Sequence, residues 1–393
     1  MIDVASGYRP GRHLVQVPGP TNVPERVLRA MAAPTIDHRG PEFAGLMQGL
    51  LLDSRKVFRT GQPVVMYPGS GTGAWEAALV NTLSPGDAVL AFEVGHFASL
   101  WAKMAMQLGL DVDLVPTDWR SGVDAVVLEE RLQHDEGHRI KAVLITHNET
   151  STGATSSVAD VRAALDRAGH PALLFVDAVS SLASIDYRHD EWGVDVTIAG
   201  SQKGLMLPPG LCFNAISERA LFASTTAGLP RAYWEWAPIL EQNAQGFFPY
   251  TPPTNLLLGL RTALDMLFDE GLDAIFARHR RHAAATREAV AAWGLELQCQ
   301  DPSAYSPTVT AVVMPEGYRE DTFRQVVLER YAMSLGGGLS KLAGRVFRIG
   351  HLGDFDDLAL VGALAGVELG LELAGVPHKR GGVAAALDAL RAP

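Results

Sequence analysis

The sequence predicts an α/β fold: a large domain on a mostly parallel sheet with helices on both faces, followed by a smaller α/β domain at the C-terminal end. Short apolar runs alternate with helix-period segments through the first two hundred or so residues. Two of these runs end on a charged residue, Asp177 and Lys203, where ligands of open parallel sheets collect. Past Asn255 helical patterns take over.

The first strand is expected at Val64-Val-Met-Tyr67, with a helical stretch over 74–83 behind it. Ala88-Val-Leu-Ala-Phe92 precedes a helical pattern over 98–108, and Ala142-Val-Leu-Ile-Thr146 precedes one over 158–168. Ala172-Leu-Leu-Phe-Val-Asp177 and the β-branched run that Lys203 closes complete the alternation. Further on, 256–293 reads as helical, Thr308-Val-Thr-Ala-Val-Val-Met314 and Val346-Phe-Arg-Ile349 as strands, and the alanine-rich end from Val383 as a terminal helix. The boundary is placed near Gly271, giving an N-terminal arm with the large domain over 1–270 and a small domain over 271–393.

Composition narrows the function. The chain has 393 residues, 47% hydrophobic and 20% charged, an ordinary globular profile too large for one simple core. No uninterrupted apolar stretch of about 18 residues occurs, so no membrane partner is expected. Residues 1–20 carry Asp3, Arg9, Arg12 and His13 without an apolar core, unlike a secretory signal, and the end Arg391-Ala-Pro393 is not a peroxisomal tripeptide. Two cysteines, Cys212 and Cys299, offer neither a disulfide framework nor metal-ligand spacing, which suits a reducing cytoplasm and no metal. A net charge of −11 argues against nucleic acid, so basic residues are read locally as anion sites.

A lysine closing a buried strand invites a chemical explanation. In a partly desolvated pocket its pKa falls and its amine can form a Schiff base with a carbonyl. Asp177, ending its own apolar run, would pair with a protonated pyridine nitrogen, and together the two residues are what pyridoxal 5′-phosphate requires. The turn Gly69-Ser-Gly-Thr-Gly-Ala74 follows a strand and opens a helix, a phosphate cradle of backbone N–H groups helped by the Ser70 and Thr72 hydroxyls. It lacks the lysine of a Walker loop but fits G-x-G-x-x-A, with Glu93 near the next strand's end, so a nicotinamide-dependent oxidoreductase is the rival from another class. Arg348 interrupts an apolar strand; its planar fork suits a substrate α-carboxylate, and the competing account is an ion pair with Asp354, Asp356 or Asp357. His38 and Arg39 suit either the substrate mouth or structural hydrogen bonding.

The chain resembles the class-V pyridoxal-phosphate aminotransferases of fold type I, in particular their serine–glyoxylate and alanine–glyoxylate branch. The resemblance is carried by Val17-Pro-Gly-Pro-Thr-Asn-Val-Pro24, Thr35-Ile-Asp-His-Arg-Gly-Pro-Glu-Phe43, Thr146-His-Asn-Glu-Thr-Ser-Thr-Gly153, Gly200-Ser-Gln-Lys-Gly204, Phe248-Pro-Tyr-Thr-Pro252 and Val346-Phe-Arg-Ile-Gly-His-Leu-Gly353. It implies a homodimer with active sites at the subunit interface. Lys203 would hold the cofactor and shuttle the substrate's proton, and Asp177 would keep the ring nitrogen protonated. Val179 and Phe97 would pack on the two ring faces; many relatives carry tryptophan at the Phe97 position, so an indole donor is lost here. Ser70, Gly71, Thr72 and Gln202 would bind phosphate, joined by Thr251 of the other subunit. Phe248 replaces a phosphate-binding tyrosine of alanine–glyoxylate relatives and lacks its hydroxyl, which Tyr250 is placed to replace. Thr150 would lie near the phenolic oxygen, and Arg348 would grip the substrate carboxylate.

The expected reaction is a ping-pong transfer: serine gives up its amino group and leaves as hydroxypyruvate, then glyoxylate takes that group and leaves as glycine. Alanine or aspartate as donor is the alternative within the class. A cysteine desulfurase is a further one, though neither Cys212 nor Cys299 sits on a glycine-rich loop.

Overall fold

The computed structural model describes residues 12–391; the readings of residues 1–11 and 392–393 lie outside the described residues. In chain order the first strands are β1 (Leu14–Gln16), β2 (Val64–Gly69), β3 (Ala88–Glu93), β4 (Asp111–Pro116), β5 (Ile140–Thr146), β6 (Asn148–Glu149) and β7 (Ala154–Thr155). They are followed by β8 (Leu173–Asp177), β9 (Val196–Gly200), β10 (Gly210–Ile216), β11 (Glu296–Leu297), β12 (Val309–Val313), β13 (Met333–Gly337) and β14 (Val346–Gly350).

Seven strands form the large sheet in the order β2-β10-β9-β8-β5-β3-β4. The β4, β3, β5, β8 and β9 neighbours pair in parallel, while β10 runs antiparallel to both β9 and β2. The reason lies in the sequence of β8 and β9: every residue of Leu173–Asp177 and of Val196–Gly200 is buried. Only a strand covered on both faces tolerates such a run, and helices on both faces provide that cover. Two apolar clusters result, one centred on Val143, Leu174 and Leu260, the other on Val65, Phe175 and Trp236. Local signals set the helix ends. Ser157 accepts the Asp160 N–H at the start of helix Val158–Ala168, which ends at Gly169 in the left-handed conformation.

The smaller sheet has the order β1-β13-β14-β12-β11 and its own apolar cluster around Phe347, Phe323 and Leu364. Its first member comes from the N-terminal arm: Leu14 to Gln16 pair in parallel with Met333 to Leu335. The helical pattern expected over 256–293 is two helices, Thr254–Glu270 and Leu272–Trp293, parted at Gly271 with φ +87°. The second of them starts against the large core through Ile275 and Phe276 and ends in the small one through Ala289 and Trp293. No helix among the described residues is long and apolar enough to cross a membrane.

Candidate active site

The carboxyl ends of the central strands come together at one cavity of about 240 Å³. The parallel register aligns Thr146 of β5 with Asp177 of β8, and Asp177 with Ile198 of β9. The chain leaving β9 therefore delivers Gln202 and Lys203 beside Asp177. The sequence reading carried the strand through to Lys203; β9 ends at Gly200, and the lysine lies in the turn that follows. Helix Gly71–Thr82 packs across β9 and β10, which brings its first residues over the same strand ends. Of the expected site residues, Ser70, Gly71, Thr72, Phe97, Thr150, Asp177, Val179, Gln202 and Lys203 all line this cavity. A larger crevice of about 780 Å³ beside His147 and Trp192 is lined by none of them.

Burial governs the electrostatics. Asp177 is 5% exposed, and desolvation pushes its carboxyl up to about 7, with nearby Glu149 adding to the rise. Opposing this, the Val179 N–H donates to Oδ1 at 2.8 Å and the Trp75 indole N–H to Oδ2 at 3.1 Å. Lys203 is 8% exposed; desolvation, with the Arg348 charge, brings its ammonium down to about 8 against the pull of Asp177 and Glu149. Its Nζ donates to the Pro18 carbonyl. Gly19 lies directly against the lysine stem: a Cβ there would sit 2.3 Å from Lys203 Cδ, so no side chain fits.

The remaining lining supplies polar groups in some places and apolar ones in others. Ser70 is the N-cap of helix Gly71–Thr82 yet makes no side-chain capping bond, which leaves its hydroxyl free beside the exposed N–H groups of the helix start. Gln202 Oε1 is buried without a partner. Gly71 sits on Val179 so closely that a Cβ would come within 2.6 Å of Val179 Cγ2. Thr150 donates to Ser180 Oγ at 2.8 Å, and its carbonyl accepts from Arg348 Nη1 at 3.0 Å.

Arg348 does not line the cavity; it is buried in β14 behind Thr150 and also donates from Nε to the Gly337 carbonyl at 2.8 Å. The competing ion pair with the downstream aspartates is not formed. Asp357 binds Arg281 and His282, and Asp356 caps the helix that follows. Among the described residues Arg348 has no carboxylate within ion-pair distance, and desolvation lowers its guanidinium to about 10. Thr251 is exposed and does not line the cavity of its own chain. His38 and Arg39 do not line it either; the Arg39 backbone N–H donates to Asp37.

The class-V aminotransferase family model matches residues 16–340. The serine–glyoxylate aminotransferase of Methylorubrum extorquens is 50% identical over 395 residues, spanning 99% of this chain and 98% of that protein. The L-aspartate–glyoxylate aminotransferase of Paracoccus denitrificans is 48% identical over 377 residues, 95% of each. Among solved structures, pyridoxamine–pyruvate aminotransferase from Mesorhizobium loti superposes with a TM-score of 0.90 at 27% identity over 98% of both chains.

The chain belongs to the class-V aminotransferases. This aminotransferase has the type I fold and depends on pyridoxal phosphate. The residues present fit that group: an uncapped helix start with the Ser70 and Thr72 hydroxyls for a phosphate, a buried carboxylate for a pyridinium, and a desolvated lysine for an aldehyde.

The topology also disposes of the rivals. In a dinucleotide fold the acid follows the strand next to the glycine turn. In the aminotransferase four strands lie between β2, which carries the turn, and β3, which carries Glu93. At roughly 4.8 Å per strand they stand about 24 Å apart. Glu93 is instead paired with Lys341 at 2.6 Å. Both cysteines are buried, with the Cys212 thiol pushed up to about 12 and that of Cys299 also raised by desolvation, the reverse of a desulfurase nucleophile.

The aminotransferase also uses residues that the sequence reading passed over. Glu149 accepts from the Phe97 and Ala98 N–H groups at 3.1 Å and from Ser151, so it caps helix His96–Gln107 from a distant turn and fixes the Phe97 wall. Its neighbour Asn148 also lines the cavity. The quoted motif Asn-Glu-Thr contained both, but no spacing tied them to Phe97.

Proposed function

We propose that this aminotransferase moves an amino group from serine to glyoxylate, yielding hydroxypyruvate and glycine in two half-reactions at one site. The observation that carries the reading is the buried Arg348 guanidinium, close enough to depress the Lys203 pKa and partnered only by backbone carbonyls. A desolvated fork without a carboxylate of its own suits the α-carboxylate that serine and glyoxylate both present. Pyridoxal phosphate, when bound, supplies an electron-withdrawing ring conjugated to the substrate's Cα. In this reading Asp177 holds the proton on the ring nitrogen, while Phe97 and Val179 confine the ring and Thr150 lies beside the phenolic oxygen. Ser70, Gly71, Thr72 and Gln202 anchor the phosphate. Lys203, with its pKa brought to about 8, would take the proton from Cα and return it to the cofactor carbon on the far side of the transferred nitrogen.

Serine is preferred over aspartate on the character of the lining. Among the described residues that line the cavity Lys203 alone is cationic, and Arg348, which takes the α-carboxylate in this reading, stands outside that lining. Asn148 lines the cavity with its Oδ1 unpartnered, a neutral acceptor suited to a hydroxyl. Aspartate is the second reading, favoured by the likeness to the Paracoccus enzyme. We further take the enzyme to be a cytoplasmic homodimer in which Thr251, exposed on its own chain, reaches the partner's phosphate site, with the large domain over 1–270 and the small one over 271–393.

A panel of amino donors against glyoxylate tests the proposal. Serine should give the highest kcat/KM with stoichiometric hydroxypyruvate, and a visible absorption band bleached by borohydride should accompany activity. A higher kcat/KM for aspartate or alanine would overturn the donor assignment.

A further inference from the structure

We propose that Trp75 is a positioning residue for Asp177, and that helix Gly71–Thr82 thereby ties the phosphate end of the cofactor site to its ring-nitrogen end. The two oxygens of Asp177 each have one donor: the Val179 N–H at 2.8 Å and the Trp75 Nε1–H at 3.1 Å. The first is local and would be met in any turn of this shape. The second comes from a side chain far away in sequence, and only a tryptophan or another long donor can supply it from that distance. Two donors in different directions fix the plane of a carboxylate, where one leaves it free to rotate.

Trp75 is itself held. It is 3% exposed and its ring stacks on Trp101 with centroids 5.8 Å apart and planes 14° from parallel. It stands about one turn into the helix whose first residues, Ser70, Gly71 and Thr72, line the same cavity. One rigid element therefore carries both the phosphate cradle and the donor that aims Asp177. A shift of one anchor moves the other with it, so the spacing between them is kept by a helix and not by loops. The arrangement also answers the loss noted at Phe97, where a benzyl ring offers no indole N–H; the indole facing the Asp177 end of this cavity comes from Trp75. A hydrogen bond to the ionised carboxylate favours its charged form, which is the form that holds a pyridinium proton.

The inference rests on the assignment of Asp177 to the ring nitrogen, and the test separates the two. Trp75→Phe keeps the ring and its stacking on Trp101 but loses the N–H, whereas Trp75→Leu loses both. Each is made in the holoenzyme, alone and combined with Asp177→Asn. Losing one hydrogen bond to a charged group should lower kcat about ten- to a hundredfold in Trp75→Phe. KM for serine and glyoxylate should stay put, since Arg348 is untouched. The cofactor dissociation constant, followed by absorbance of the bound group, should rise, and the acid limb of the kcat profile should move to higher pH. In the Asp177→Asn background the Phe substitution should have no further effect on kcat, because the two act through one bond. Near-normal kcat in Trp75→Phe with a fall only in Trp75→Leu would reduce Trp75 to packing and overturn the proposal. Full additivity of the two substitutions would overturn it as well. A normal rate in Asp177→Asn alone would instead remove the role of Asp177 on which the inference stands.

Discussion

Asp177 and Lys203 leave neighbouring parallel strands of the large sheet, whereas Arg348 sits in mid-strand in the small one, between Ala311 of β12 and Gly336 of β13. The first pair is brought together by backbone register: β8 and β9 align, and the turn after β9 sets the lysine beside the acid, where Pro18 and Trp75 then hold them. Arg348 is placed by packing between sheets, through its bond to the Thr150 carbonyl. The comparison separates two kinds of precision. The strand-end pair should tolerate displacement of the small domain, and the arginine should not. In the assignment made above, that split matches chemistry on one side with substrate capture on the other.

The sharpest way to break this division is at Lys203. In the proposed assignment Lys203→Ala removes the covalent anchor and the proton carrier together, and turnover should fall by roughly 10⁴-fold or more while circular dichroism shows an intact fold. A variant that kept normal turnover would falsify the assignment. Next comes Asp177→Asn, which in the proposed assignment loses the charge that keeps the ring nitrogen protonated; the half-reaction with serine should slow roughly a hundredfold or more, seen by stopped-flow absorbance. Both effects should appear in kcat. Arg348→Lys should behave differently, keeping charge but losing the fork, with apparent affinity for serine and glyoxylate falling about ten- to a hundredfold and cofactor affinity unchanged. Saturation curves for both substrates decide it, and a change in kcat alone would erase the contrast between the two halves.

Stability should respond to the same carboxyl. Burial raises the Asp177 pKa from 3.8 to about 7, so the folded protein binds that proton more tightly than the unfolded chain. Its favourable contribution is fully present below pH 4 and is lost as pH rises to about 7, a change of up to about 4 kcal/mol. Cofactor-free Asp177→Asn should therefore gain stability relative to the parent from acid to neutral pH, in melts run at pH 5 and pH 8. A gap that stays constant with pH would mean the carboxyl is not desolvated as the structure shows.

Residues around the site differ in how far the sequence disclosed them. Asp177, Lys203 and Arg348 were legible because each is a charged residue at the end or middle of an apolar run, a local anomaly that calls for chemistry. Trp75 was not, since a tryptophan in an alanine-rich helix reads as core and only the fold reveals its N–H against Asp177. Glu149 stayed hidden because its partners, Phe97 and Ala98, come from another helix. Among the strands, β4 escaped because Asp111-Val-Asp-Leu-Val-Pro116 mixes acids into an edge strand, and β10 because its direction is set by its neighbours rather than by composition. The three-residue β1 is too short for any periodicity to show.

The arm that β1 begins has a consequence for how the molecule is made. Leu14 pairs with Met333, Thr21 donates its backbone N–H to the Gln202 carbonyl, and the Pro18 carbonyl receives Lys203. The segment that carries β1 thus cannot complete its pairing until Met333 to Leu335 have been translated. Until then the second sheet lacks its edge strand. A nascent chain arrested before residue 333 would hold every strand of the large sheet while β1 still lacked its partner.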